Sequence, residues 1–329
     1  MSKTQTIVLA NQKGGCGKTT TSVQLACGLA LEGYRTCLVD LDGQCNASMA
    51  LGLDPDQVKR EKQSTVLDVY LNKRPAASIA VPVRAEAFDG KLLAVPGHTA
   101  MAAVHPSLEA DMKRESLTDG LSPEDEDDRR VEHRDRLRKS LESLHDQCDF
   151  IIIDTPPELG FLLSTALRAG DWFIIPVMPS EYELRGMQRL IETAKKVRSR
   201  SNPDLRLLRI LVGAFDKSTV LDGEIFAKLS RQFGKHLSPV KVTRGVRLRE
   251  SFSYNVSVYE HAPESDQAKQ FREFVREVAK AVHEAQPDET LGDPGRSAET
   301  SDEILVPQPR PAVATPVEEG DAVKEASNG

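Results

Sequence analysis

The most chemically informative stretch of the sequence lies near its amino terminus, NQKGGCGKTT at residues 11–20. Successive backbone N–H groups in a glycine loop, backed by the positive end of a following helix, form a cradle for phosphate oxygens. In such a loop Lys18 supplies a positive charge to the β- and γ-phosphates of a nucleotide, and Thr19 supplies a hydroxyl ligand for Mg²⁺. The predicted cradle comprises Gly14, Gly15, Cys16, Gly17, Lys18, Thr19 and Thr20.

The first half of this loop departs from the ordinary phosphate-binding pattern. The position five before Gly17, where the ordinary loop has glycine, is Gln12, and a second lysine, Lys13, follows it. One lysine suffices for the phosphates of a single bound nucleotide. The presence of Lys13 therefore requires a separate explanation.

Three aspartates that follow apolar segments are candidates for the metal and water side of the chemistry. Asp154 closes the segment FIIID, which suits a carboxylate that holds a Mg²⁺-bound water. Asp40 and Asp42 close an earlier segment in VDLDGQCNAS, and either could orient an attacking water. Because open parallel sheets bind ligands at the carboxyl ends of their strands, three such aspartates around one loop favour a shared site over isolated helix caps.

Apolar runs alternate with helical patterns along most of the chain. We predict strands at residues 6–10, 35–40, 150–154, 172–177 and 208–214, a helix at 19–31 and a last helix at 265–285. The opening order of strand, glycine loop, helix and strand is a βαβ unit, and such units build parallel sheets covered by helices. The predicted fold is α/β, a doubly wound, mostly parallel sheet with helices on both faces, in one domain at residues 1–285.

Four segments together, KGGCGKTT, VDLDGQCNAS, FIIIDTPPELG and PVMPSEYELRGMQRL, resemble the ParA/MinD group of deviant Walker A ATPases, which are P-loop NTPases. The resemblance implies ATP and Mg²⁺ as cofactors and a homodimer in the ATP state, in which Lys13 reaches the phosphates of the partner's ATP. It implies Lys13, Lys18 and Asp42 as catalytic residues, with Asp42 positioning the hydrolytic water. Gly43 and Cys45 stand where many relatives have proline and glycine, a departure that concerns the local backbone shape.

A basic stretch at residues 241–249, KVTRGVRLR, is followed by ESFSYNVSVYEHAPES. This region looks like the carboxyl-terminal part of chromosome and plasmid partition ParA proteins, whose matching arginines bind double-stranded DNA without sequence preference. The resemblance implies a ParB-like activator that stimulates ATP hydrolysis, and DNA-binding residues at Lys217, Arg244, Arg247 and Arg249. Charge alone favours a solvated basic strand and loop equally well.

Two other functions stay open at this stage. A ParA-like ATPase could position a protein cargo on the nucleoid by the same cycle, with only the partner changed. A membrane-surface ATPase of the MinD type would end in a basic amphipathic helix, whereas this sequence ends in an acidic, proline-rich segment. We therefore expect no membrane partner.

Composition adds expectations about organisation and location. The apolar runs are far shorter than the ~20 residues of a membrane span, so we expect a cytoplasmic, nucleoid-associated protein. Residues 286–329 contain ten acidic and three basic side chains, which accounts for the whole net charge of −7, and we predict a disordered acidic, proline-rich tail there. Residues 105–147 form a charged acidic insertion that we interpret as a solvated face or loop. The five cysteines form no CxxC pair, so neither a disulfide framework nor a zinc site is predicted.

Overall fold

The computed structural model describes residues 3–119 and 122–284 of the 329-residue chain. In these ranges the strands are β1 (Gln5–Leu9), β2 (Thr36–Asp40), β3 (Val81–Pro82), β4 (Leu92–Val95), β5 (Phe150–Asp154), β6 (Trp172–Val177), β7 (Arg206–Phe215) and β8 (Leu237–Thr243). The helices are α1 (Lys18–Leu31), α2 (Asn46–Ala50), α3 (Pro55–Arg60), α4 (Val66–Leu71), α5 (Val104–Asp119), α6 (Pro123–Leu141), α7 (Phe161–Ala169), α8 (Glu181–Arg200), α9 (Val220–Phe233), α10 (Val246–Ser253), α11 (Val258–His261) and α12 (Asp266–Glu284).

The strands form one sheet in the order β3-β4-β2-β5-β1-β6-β7-β8. Every pairing among the described strands is parallel except that of β3 with β4. The chain moves outward from β1 to one edge, returns through β5 beside β1, and then continues to the other edge. This confirms the predicted doubly wound α/β fold, in which ligands bind where the strand order reverses.

Both faces of the sheet are buried, which is typical of parallel sheets. Side chains alternate between the faces, so Ile7 and Leu9 pack in one apolar cluster and Val8 in the other. The first cluster is covered by α1 and α12, and α12 contributes Phe271 and Phe274, both fully buried. Burial of such a side chain stabilises the fold by roughly 1.5–3 kcal/mol, so α12 is an integral part of the domain.

The predicted elements match the structure closely where the strands are apolar throughout. The strands predicted at residues 150–154 and 172–177 coincide with β5 and β6, and the others agree within two residues. The prediction missed β3, β4 and β8. In β8 the sequence LSPVKVT contains Pro239, which argues against a central strand, but β8 lies at the edge of the sheet, where proline is tolerated.

Most of residues 105–147, predicted as a solvated face or loop, lies in α5 and α6, whose charged side chains are mostly exposed or partly exposed, so the segment forms solvated helix faces and not a loop. Each helix buries a narrow apolar stripe, with Leu108 and Met112 in α5 and Leu137 and Leu141 in α6. Ser122 and Asp125 form a capping box at the start of α6, which favours the helix despite its charge. No helix within the described ranges is both long and apolar enough to cross a membrane. The predicted tail at 286–329 lies outside the described residues.

Candidate functional site

Three strands bring the predicted site residues to one edge of the sheet. In the parallel register, Asp154 at the end of β5 lies opposite Leu9 of β1 and opposite Asp40 of β2. The loop at residues 11–17 leaves β1 at this edge and leads into α1, which begins at Lys18. The phosphate loop and the candidate carboxylates are therefore neighbours because neighbouring strands end together.

The loop has the backbone shape of an anion cradle. Gly15 and Gly17 have φ angles of 75° and 91°, in the left-handed region that other residues adopt only with strain. The loop ends at the amino terminus of α1, whose unpaired N–H groups carry partial positive charge. The predicted cradle residues thus combine glycine geometry with a helix terminus, which suits a phosphate group.

Lys18 lies inside this cradle and is only 6% exposed. Its Nζ donates a hydrogen bond to the backbone oxygen of Lys13 at 2.9 Å. The ammonium group is thus directed across the loop, toward the place where phosphate oxygens would lie. Cys16 is also buried and donates to the same oxygen from its Sγ at 3.2 Å.

Asp154 is fully buried and receives two hydroxyl groups from α1. Thr19 Oγ1 donates to Asp154 Oδ2 at 2.8 Å, and Ser22 Oγ donates to Oδ1 at 2.7 Å. The pKa of Asp154 is raised to about 7, mainly by burial and in part by the nearby Asp40 carboxylate, and the two hydroxyl groups lower it only partly. A cation at this position would favour the ionised carboxylate.

These oxygen donors fit Mg²⁺, which prefers hydroxyl, carboxylate, water and phosphate oxygens. Within the described residues, no group of three His, Cys, Asp or Glu side chains could hold a metal ion directly. The ion would therefore depend on Thr19, on Asp154 through water and on the nucleotide's own phosphates.

The two aspartates after β2 have different environments. Asp40 is fully buried, and its oxygens accept hydrogen bonds from the Asp42 N–H and from the N–H and hydroxyl of Ser48. Burial raises the pKa of Asp40 to about 6. Asp42 is 9% exposed, and its Oδ1 accepts from the Gln44 N–H. The hydrogen bonds of Asp40 thus lie within the turn, whereas Asp42 lies at the rim of the turn.

The turn after Asp42 shows how the departure at Cys45 is accommodated. Cys45 has a φ of 53°, a left-handed conformation that glycine adopts more easily. It is fully buried, and α2 begins at the next residue. The backbone therefore keeps a glycine-like shape at this position, with a cysteine side chain in it.

The second loop lysine occupies a different environment from Lys18. The Lys13 side chain is 52% exposed, and its Nζ forms an ion pair with Glu183 Oε1 at 3.1 Å. Glu183 is buried near the start of α8, and its Oε2 accepts from Asn11 Nδ2 at 3.2 Å. Sequence reasoning did not identify Glu183 or Asn11 as site residues. A glutamate in the first turn of a helix that follows a site strand was the available signal.

A cavity of about 630 Å³ lies beside the loop and was not predicted. It lies between the loop residues Gly15 and Gly17 and the carboxyl ends of β6, β7 and β8. Its lining is largely apolar and includes Pro176, Met178, Leu211, Val242, Val246, Leu248 and Phe271. A volume of this size and polarity suits the base and sugar of a nucleotide whose phosphates lie in the loop.

The structure divides the four predicted DNA-binding residues between two positions. Arg244 and Arg249 line the cavity, and Arg244 Nε donates to the Ala214 oxygen at 3.2 Å. Lys217 is exposed in the connection that follows β7. Arg247 is exposed on α10, where it pairs with Glu250 at 3.0 Å. All four lie on segments that follow β7 and β8, and all four are exposed.

Comparison with known proteins finds relatives that match most of this chain. Residues 4–207 match the model of a family described as AAA domain. The chromosome-partitioning ATPase Soj of Thermus thermophilus is 32% identical over 284 residues, which cover 86% of this chain and 98% of that protein. The chromosome partitioning protein ParA of Myxococcus xanthus is 32% identical over 274 residues, which cover 83% of this chain and 87% of that protein.

A solved structure with the same fold belongs to a protein whose name differs from those of the two partition proteins above. Cobyrinic acid a,c-diamide synthase from Mycobacterium smegmatis, with a bound ATP analogue and magnesium, is 24% identical and has a TM-score of 0.67. The match covers 86% of this chain and 98% of that one. At this level of identity the similarity shows a shared fold and carries no reaction over.

Proposed function

Because this chain belongs to the ParA/Soj family of partition ATPases, we propose that it hydrolyses ATP in an Mg²⁺-dependent site that a second copy of the chain completes. We propose further that the resulting dimer binds double-stranded DNA without sequence preference. A ParB-like partner then stimulates hydrolysis, and the dimer releases the DNA. The cycle segregates chromosomes or plasmids in the cytoplasm, on the nucleoid.

The loop and its neighbours divide the work of binding the nucleotide. The glycine backbone and the start of α1 hold the phosphates, and the nearly buried Lys18 neutralises charge on the β- and γ-phosphates. Thr19, and Asp154 through a water, would hold Mg²⁺, which would neutralise the charge that develops on the transferred phosphoryl group. The cavity beside the loop receives the base.

Asp42 is the residue we assign to the attacking water. Asp40 is fully buried and bonded within its turn, whereas Asp42 is 9% exposed and follows the carboxyl end of β2 by two residues. A carboxylate at that position can accept a hydrogen bond from a water and orient it toward the γ-phosphate.

One observation carries the proposal of a shared site, namely that the two loop lysines are not equivalent. Lys18 is 6% exposed and lies within its own cradle, whereas the Lys13 side chain is 52% exposed and directed to Glu183 outside it. A half-exposed lysine at the rim can contact a second subunit that docks there. Lys13 would then stabilise the partner's phosphates as an arginine finger does.

The basic segments give the proposed dimer its DNA surface. Lys217, Arg244, Arg247 and Arg249 are exposed, so they can neutralise backbone phosphates and release counterions, which makes binding sensitive to salt. Dimerisation would double the number of such contacts. ATP controls DNA binding only if the dimer binds DNA more tightly than the monomer does.

Substitution of Lys13→Ala tests the shared site. We expect the variant to bind ATP, because Lys18 and the cradle are intact, but to remain a monomer in sedimentation velocity and to lose stimulated turnover. Lys59→Ala, at an exposed position on α3, is the matched control for the loss of one positive charge. A Lys13→Ala variant with wild-type dimerisation and stimulated turnover would refute the shared site.

Cosedimentation with duplex DNA and with anionic vesicles distinguishes this function from a membrane-surface ATPase. In the described part of the chain, α12 has a strongly apolar face, but that face packs in the core through Phe271, Phe274 and Val278 and is not free for lipid. We expect ATP-dependent, salt-sensitive binding to DNA and none to vesicles. Vesicle binding alone would contradict the proposal.

A further inference from the structure

Glu183 is a buried carboxylate that the ATPase mechanism above does not use. It is 2% exposed, and each of its oxygens contacts a residue of the phosphate loop. Its Oε1 lies 3.1 Å from Lys13 Nζ, and its Oε2 accepts from Asn11 Nδ2 at 3.2 Å. Asn11 Oδ1 in turn accepts from the Lys13 N–H at 3.1 Å, so the side chains of Asn11 and Glu183 fix both ends of Lys13.

We propose that Glu183 is a positioning residue that holds Lys13 within its own subunit until a second nucleotide-loaded copy docks, and so sets the concentration at which the chain dimerises. This inference rests on the proposed function, since it assumes that Lys13 acts on the partner's nucleotide. Glu183 acts through Lys13 and does not itself touch the nucleotide.

The surroundings of Glu183 allow Lys13 to leave without stranding a buried charge. An unpaired buried carboxylate is strongly unfavourable, but Glu183 keeps the hydrogen bond from Asn11 when Lys13 moves away. It also lies in the first turn of α8, a 20-residue helix whose positive end stabilises a carboxylate. Lys13 can therefore exchange Glu183 for a partner's phosphates while Glu183 remains hydrogen-bonded.

A second contact connects Lys13 to the nucleotide in its own subunit. The Lys13 backbone oxygen accepts the hydrogen bond from Lys18 Nζ at 2.9 Å. Phosphate oxygens in the cradle would compete for that ammonium group, because a charged acceptor binds it more strongly than a carbonyl does. Gly14 and Gly15 follow Lys13 directly and give the backbone freedom to respond. Nucleotide binding would thus loosen the main chain of Lys13, while Glu183 still holds its side chain.

The variant Glu183→Gln tests this inference, because it keeps the size and a hydrogen-bond acceptor for Asn11 but removes the charge that holds Lys13. The full chain is titrated in sedimentation velocity with Mg²⁺ and a non-hydrolysable ATP analogue, and the concentration at half-dimerisation is measured. The matched control is Glu192→Gln, the same change at an exposed position of α8.

We expect Glu183→Gln to dimerise at a concentration roughly two- to tenfold lower than the wild type. An ion pair with one exposed partner contributes modestly, and each dimer must release two of them. The control should match the wild type. The sign of the shift is informative, because a variant that merely damaged the loop would bind nucleotide more weakly and dimerise at a higher concentration.

An unchanged or higher midpoint for Glu183→Gln would overturn the inference while leaving the proposed function intact. A wild type that stays monomeric with the analogue would contradict the proposed function itself, and this inference with it. If Glu183→Gln unfolds at a markedly lower temperature than the wild type, Glu183→Asp decides the question. It keeps the charge but shortens the side chain, so a smaller downward shift is expected, and no shift or an upward one counts against the inference.

Discussion

The phosphate loop at residues 11–20 and the basic stretch at residues 241–249 are built on opposite principles. In the loop, Asn11, Cys16 and Lys18 are buried, and hydrogen bonds hold each of them in place. In the basic stretch, Arg244 and Arg247 are exposed and make few contacts, one to a backbone oxygen and one to Glu250. The loop is preorganised for one small ligand, whereas the stretch can adapt to a polymer of repeating phosphates.

The cavity joins these two regions. Its lining includes Gly15 and Gly17 from the loop and Arg244 and Arg249 from the basic stretch. A nucleotide base in this cavity would therefore lie against the segment that carries the proposed DNA contacts. If the loop is preorganised and the basic stretch is adaptable, substitutions in the loop should have large effects on turnover. Single substitutions in the basic stretch should have small effects on DNA affinity.

Lys18→Ala should produce the largest effect. Removal of one preorganised charge at a reacting phosphate lowers the rate by roughly 10²–10³-fold, and the loss of binding to the same phosphates adds to it. We therefore expect kcat/KM for ATP to fall by about 10³-fold or more, measured by phosphate release. Retention of more than about a tenth of the wild-type value would show that the loop is not the catalytic cradle.

Asp42→Asn should lower turnover by roughly 10²-fold, because the amide is a poorer acceptor for the attacking water. Nucleotide binding should be retained, since the cradle and Asp154 are unchanged. The two quantities are measured by single-turnover hydrolysis and by titration with a fluorescent ATP analogue. An Asp42→Asn variant that hydrolyses ATP at the wild-type rate would exclude Asp42 from the reaction.

A change of pH should alter the affinity for Mg²⁺ by an amount that is intermediate among the effects predicted here. Burial raises the pKa of Asp154 to about 7, so protonation competes with Mg²⁺ below that pH, and the affinity for Mg²⁺ should rise about tenfold between pH 6 and pH 8. Without Mg²⁺, a rise in pH has the opposite effect on stability, because it lowers the free energy of unfolding. The contribution of Asp154 to that free energy is greatest below about pH 4 and is lost as the pH rises through 7. Mg²⁺ titrations at three pH values measure the rise in Mg²⁺ affinity, and an affinity that does not change with pH would contradict the prediction.

Arg247→Ala should have the smallest effect. Loss of one phosphate contact per chain should weaken nonspecific DNA binding by roughly three- to fivefold at low salt and lower the salt slope by about 0.9 per chain. The measurement is a DNA-binding isotherm with ATP at several salt concentrations, with Lys59→Ala as the matched control. Identical slopes for Arg247→Ala and the wild type would remove Arg247 from the DNA contacts.

Local patterns in the sequence were sufficient to predict most of the fold and part of the site. The glycine loop and the apolar strands could be predicted because the residues that define them are adjacent in the chain. The helix α5 was not predicted, because its dense charge hides the apolar pair of Leu108 and Met112. Glu183 could not be placed either, since its contact with Lys13 joins residues that are far apart in the sequence and depends on how α8 follows β6.

The most direct test of the account compares the affinity of the wild-type protein for nonspecific duplex DNA with ATP and with ADP, in Mg²⁺, by fluorescence anisotropy over a salt series. We predict at least about tenfold tighter binding with ATP, with a steeper loss of affinity as salt rises, because two basic surfaces bind at once. Equal affinity and equal salt slopes with the two nucleotides would contradict it, since the loop and the basic stretch would then act independently.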